Sequence, residues 1–129
     1  MLEIEPRQTT SVLVEELADS VVVTWGLGEP AGVAHYWGGE VFYYAPDGNG
    51  GKRFSVEFFA DTGTTAHVWD NASTTQANYT ADHVEVTEKA IIARYPDAGL
   101  GIAEIGAIAA YSHINGVDHQ RDLPVSLLR

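Results

Sequence analysis

The chain has 129 residues, no cysteine, and 18 Asp and Glu against seven Lys and Arg, a formal charge of −11. That length suits one domain able to bury about two-thirds of its unfolded surface, and the missing thiol excludes disulfides, thiolate metal sites and cysteine nucleophiles. With 45% apolar and 19% charged residues the composition is that of a folded globule, and the acidity disfavours nucleic acid and anionic membranes while favouring basic proteins.

The first residues, Met1-Leu2-Glu3-Ile4-Glu5-Pro6, lack the positive and apolar regions of a signal peptide. No apolar run reaches the ~20 residues of a membrane span, so a cytoplasmic protein is expected. The first predicted element is a helix: Thr9, Thr10 or Ser11 can cap it, Glu15 and Glu16 sit early, and Leu13, Val14, Leu17, Ala18 and Val21 recur at helical spacing. Residues 20–25 read as a buried strand, and residues 33–37 and 40–45 as two strands rich in aromatic and β-branched side chains. Pro46-Asp47-Gly48-Asn49-Gly50-Gly51 is a turn leading to a strand at 53–60, where Phe54, Val56 and Phe58 alternate with Ser55, Glu57 and Phe59.

Residues 64–69 extend the sheet and the polar stretch 70–77 reads as loop. Thr80 then caps a long predicted helix over 80–95, with Val84, Ile91 and Tyr95 on one stripe and Pro96 as its stop. Residues 101–112 fit either helix, through Ile102, Ile105 and Ile108, or buried strand, and the β-branched content favours strand. Leu123, Val125 and Leu127 alternate in a closing strand that Pro124 marks as an edge or a strand start. The expected fold class is α+β: an N-terminal helix, an antiparallel β-meander, one long helix and C-terminal strands, packed as a single two-layer domain over residues 1–129.

Motifs for chemistry fail on context. Gly26-Leu27-Gly28-Glu29-Pro30-Ala31 matches a dinucleotide fingerprint, but strand-like aromatics follow it instead of the helix that would face pyrophosphate. Ala34-His35-Tyr36-Trp37 and Ala66-His67-Val68-Trp69 resemble each other, and His35 and His67, with Glu57 or Asp70, are the candidate metal ligands. Neither supplies the two ligands on one element that zinc motifs have, so packing of His and Trp on a sheet is the competing reading. No catalytic residue, metal ligand set or cofactor is assigned. Asn71-Ala72-Ser73 and Asn78-Tyr79-Thr80 are formal glycosylation sequons in a Thr-rich stretch.

The succession of an N-terminal helix, the strand Lys52-Arg53-Phe54-Ser55-Val56-Glu57-Phe58-Phe59-Ala60, a helix over 80–95 and the closing His119-Gln120-Arg121-Asp122-Leu123-Pro124-Val125-Ser126-Leu127 resembles the tail-terminator and tail-completion proteins of tailed viruses. The resemblance implies a non-enzymatic virion protein that forms a homo-oligomeric ring at the end of the tail tube and joins it to the head connector. The alternative is a small acidic immunity protein that binds a basic toxin or nuclease, steered by the −11 charge. A small enzyme or metal-binding protein using His35 and His67 is third. Tyr36, Trp37, Phe42, Tyr43 and Tyr44 exceed what one sheet can hide against two helices, which marks them as the candidate protein interface.

Overall fold

The computed structural model describes residues 9–27, 36–59, 63–96, 98–114, 117–120 and 123–129. Its strands are β1 (Thr9–Glu16), β2 (Ser20–Leu27), β3 (Tyr36–Tyr44), β4 (Lys52–Phe59), β5 (Gly63–Asp70), β6 (Thr75–Tyr79), β7 (Val84–Val86), β8 (Ala90–Pro96), β9 (Ala107–Ile114), β10 (Val117–Gln120) and β11 (Val125–Leu128). They form a five-stranded sheet, β11-β1-β2-β8-β7, and a six-stranded sheet, β10-β9-β3-β4-β5-β6. All neighbours are antiparallel except β1 and β11, which run parallel. The order β1-β2-β8-β7 facing β10-β9-β3-β4-β5 is that of the A-B-E-D and G-F-C-C′-C″ strands of a variable-type immunoglobulin sandwich.

The expected α+β class is therefore corrected to all-β, and both predicted helices are strands. In β1, Val12 and Val14 are buried while Leu13 between them faces outward, and Leu17, placed on the helical stripe, is 45% exposed in the turn to β2. That turn closes through the Leu17 N–H donating to Ser20 O at 2.8 Å. The long helix over 80–95 is replaced by a 3₁₀ turn at Ala81–His83, then β7, then a tight turn in which Thr87 Oγ1 accepts from the Lys89 N–H at 3.2 Å and the Ala90 N–H at 3.0 Å. β8 alternates strictly, with Ile91, Ala93 and Tyr95 inside. Ile91 and Tyr95 are four apart, a spacing that satisfies a helix and a strand equally.

Smaller differences follow the same logic. The expected strands at 33–37 and 40–45 are one strand, β3, whose Gly39 lies against Trp25 and Trp37, and residues 28–35 lie outside the described part. The 70–77 loop shrinks to a four-residue turn before β6. Residues 107–114 are strand, as the β-branched content of 101–112 favoured. The closing segment divides: β10 lies in the six-stranded sheet and β11 in the other, with Pro124 at the crossover.

The core is one continuous cluster drawn from both sheets. Trp25 meets Trp37 edge to face at 6.1 Å, Phe54 meets Tyr95 at 5.0 Å, and Tyr43 stacks on Phe54 at 6.2 Å. The Tyr95 hydroxyl donates across the sandwich to Ser55 O at 2.8 Å, and burial raises its pKa far above the usual phenol value.

The connection from β8 to β9 carries Leu100 into this core, 1% exposed, and four side chains hold it there. The Tyr43 hydroxyl donates to Leu100 O, and Glu16 accepts from the Leu100 N–H at 2.7 Å. Lys52 donates to Gly99 O at 2.9 Å. Arg129 pairs with Glu16 at 3.0 Å and donates to Ala103 O and Ile102 O at 2.9 and 2.8 Å. The bond from the Leu100 amide, with Arg129 beside it, holds the Glu16 carboxyl below its ordinary value of 4.5. A lowered folded-state value stabilises above the unfolded-state pKa, and the gain disappears as pH falls through the folded one. Glu16→Gln is accordingly expected to cost about 1 kcal/mol near neutral pH, discounted for partial exposure, and nothing in strong acid. Urea unfolding of both proteins at several pH values measures the difference, and a gap independent of pH would remove Glu16 from this role.

Candidate interaction surface

Alternation along the six-stranded sheet decides which side chains leave the core. In β3, Trp37, Val41 and Tyr43 point inward and Glu40, Phe42 and Tyr44 outward. Register carries the outward set across the sheet in rows. One row runs Tyr111, Glu40, Ser55, His67, Asn78 and the next Ala109, Phe42, Arg53, Trp69, Gln76.

The first row is polar and internally bonded. The Ser55 hydroxyl donates to Glu40 Oε1 at 3.0 Å, and the Tyr111 hydroxyl donates to Glu40 Oε2. Ser55 is 2% exposed although it lies on the outer face, because its neighbours close over it. The second row is aromatic and cationic. Phe42 packs edge to face on Tyr44 at 6.0 Å and on Tyr111 at 6.2 Å, and the Arg53 guanidinium lies over the Phe42 ring at 5.5 Å. Phe42, Tyr44, Trp69 and Tyr111 are all half-buried, and no described strand lies across them.

Of the five expected interface residues, Trp37 and Tyr43 are core, 0% and 1% exposed. Phe42 and Tyr44 lie on the outer face, and Tyr36 begins β3 on their parity, its side chain outside the described residues. Tyr111, Arg53, Trp69 and Glu40 complete the face and are not among the interface residues expected from sequence, Trp69 being named there only as packing on a sheet beside His67. Arg53 and Trp69 are legible by parity, since Arg53 alternates with the polar Ser55 and Glu57 and Trp69 with His67. Tyr111 is not, because it joins Glu40 only through the pairing of β9 with β3.

His67 is half-buried on the outer face opposite Ser55, with Trp69 on the same side as expected, whereas Asp70 has inward parity. His35 and most of the glycine motif at 26–31 lie outside the described residues, among which no group of three or more His, Asp or Glu is placed to hold a metal ion. His83 packs its ring on Tyr79 at 5.5 Å. Asn71 donates to Gly50 O at 3.4 Å, and Asn78 is exposed on β6.

Among the described residues no helix is long and apolar enough to cross a membrane. Comparison with known proteins finds no matching family profile, no matching curated protein and no matching solved structure. The immunoglobulin-like strand order is a likeness of architecture and carries no function by itself.

Proposed function

We propose that the chain is a non-enzymatic assembly protein whose work is to bind other protein subunits through the outer face of the six-stranded sheet. The observation that carries this reading is the half-exposed tier of Phe42, Tyr44, Tyr111 and Trp69, uncovered by any described strand. Arg53 lies over this tier, and Glu40 is bonded by Ser55 and Tyr111, so the patch joins aromatic area to satisfied polar groups. Its narrower form is a virion subunit that closes into a ring at the end of a tail tube and joins the head connector. The helices behind that likeness are strands here; what supports a ring is the set of strand edges that stay unpaired among the described residues, as a sandwich, unlike a closed barrel, allows.

The charge of −11 favours a second reading, an acidic inhibitor of a basic toxin or nuclease. Salt separates the two. Like-charged copies repel, and the screening length falls from about 10 Å at 0.1 M to about 3 Å at 1 M, so self-association strengthens with salt while binding to a basic partner weakens. Light scattering across ionic strength is expected to show growing oligomers for the native chain and weaker growth for Phe42→Ser/Tyr44→Ser. A monomer at high concentration and high salt, together with tight salt-sensitive binding to basic proteins, would replace the first reading by the second.

A further inference from the structure

The hairpin between β3 and β4 carries Asp47-Gly48-Asn49-Gly50-Gly51, and its Asn49-Gly50 pair sets a side-chain amide beside a backbone nitrogen that no neighbouring Cβ shields. Asn49 is exposed at the tip. Its own backbone is tied down: the Asn49 N–H donates to Asp47 Oδ1 at 2.9 Å, and Asn49 O accepts from the Ala45 N–H at 3.4 Å. The groups able to react with each other are free. Among the described residues neither the Asn49 side-chain amide nor the Gly50 N–H has a hydrogen-bond partner.

The other described asparagines are held. Asn71 is half-buried, its side chain donates to Gly50 O at 3.4 Å, and the N–H of the next residue, Ala72, donates to Asp70 Oδ1 at 2.9 Å. The Asn78 side chain accepts from Gln76 at 2.8 Å, and the bulky Tyr79 after it is in register with Ala66 within the sheet. Asn115-Gly116 repeats the dipeptide and lies outside the described residues.

We propose that Asn49 is a site of spontaneous covalent modification, converted through a cyclic imide by the nitrogen of Gly50. That nitrogen attacks the side-chain carbonyl carbon of Asn49. An N–C bond forms, and the side-chain nitrogen leaves as ammonia, taking up the proton that Gly50 gives up. Water then opens one of the two imide carbonyls. One product is aspartate; the other is isoaspartate, whose backbone runs through the former side chain and is longer by one methylene. Either adds a negative charge to the −11 of the chain, and adds it near the aromatic tier, since the bond from the Ala45 N–H to Asn49 O closes the hairpin next to Tyr44. The longer backbone also has little room, because Gly51 stands so close to Tyr43 O that not even a Cβ fits between them.

The test incubates the folded native chain in warm, mildly alkaline buffer and maps its tryptic peptides by mass spectrometry against an unincubated sample. Cleavage after Lys52 separates Asn49 from Asn71 and Asn78, and cleavage after Arg94 separates Asn115 from all three. Conversion reads as a mass gain of about 1 Da in a peptide that chromatography resolves into two isomers. A bond that must open first slows the reaction, so the gain at Asn49 is expected to be at least about tenfold faster than at Asn71 or Asn78. Asn49→Gln lengthens the side chain at an exposed tip and leaves the backbone bonds in place, and it should remove the gain from its peptide. Equal rates at the three asparagines, no gain at Asn49, or a gain of the same size in the Asn49→Gln peptide would each overturn the assignment.

Discussion

Trp37→Ala is expected to cost about 3–5 kcal/mol of stability, the range for removing a large aromatic side chain from a packed core. Trp37 is 0% exposed, meets Trp25 edge to face at 6.1 Å, and lies against Gly39, where even a Cβ would come within 2.6 Å of its ring. Closely packed surroundings relax little, so most of the removed volume would remain as cavity. Its indole N–H has no partner among the described residues, so within them the substitution loses packing and no hydrogen bond. Urea unfolding measures the loss. The same experiment on Phe42→Ala, a half-exposed ring on the same strand, should show about 1 kcal/mol or less while association falls. Equal losses from the two substitutions would mean that alternation along β3 does not separate core from surface.

Gly51→Ala is expected to be comparably damaging, about 3–5 kcal/mol, for a different reason. Gly51 has φ of +91° and is buried at the start of β4, and an added Cβ would stand 1.9 Å from the backbone oxygen of Tyr43. The obstacle is a backbone carbonyl, which cannot rotate away as a side chain would, and left-handed strain of about 1–3 kcal/mol adds to the overlap. Gly48, with φ of +82° at the exposed tip of the same hairpin, meets nothing within 4 Å, so Gly48→Ala should pay the strain alone. Thermal unfolding of the pair separates conformational cost from collision. Equal shifts would show that the hairpin base yields as easily as its tip.

The two hairpin glycines also mark how far the sequence could be read. Pro46-Asp47-Gly48-Asn49-Gly50-Gly51 names its turn without ambiguity, and the alternation of Phe54 and Val56 with Ser55 and Glu57 fixes β4 to within a residue. The two helices were misread where spacing alone decided. Leu13, Leu17 and Val21 stand four apart, and four is a multiple of the strand period as well as close to one helical turn. The β-branched Thr9, Thr10 and Val12 and the two valines of β7 point to strands, against the helical spacing. On the candidate surface, parity was legible and depth was not. Nothing local distinguishes Tyr43 from Tyr44 until the second sheet lies over one of them, and the bond from Tyr111 to Glu40 joins positions 71 residues apart.

The parallel pairing of β1 with β11 also constrains the moment at which the molecule can become complete. β1 is made before the other described strands of the sandwich, yet its outer neighbour and the guanidinium that meets Glu16 come from residues 125–129, with the two partners of that ion pair 113 positions apart. While the ribosome is still adding β9 and β10, β1 has β2 on one side and a row of unpaired amides and carbonyls on the other. The nascent sandwich therefore carries an adhesive flank until its final strand emerges, and slow, long-range closure of this kind is where β proteins are most exposed to pairing with the wrong neighbour. Polysomes translating this chain hold several such flanks close together, so unfinished chains are most at risk at an edge that the finished sheet no longer exposes.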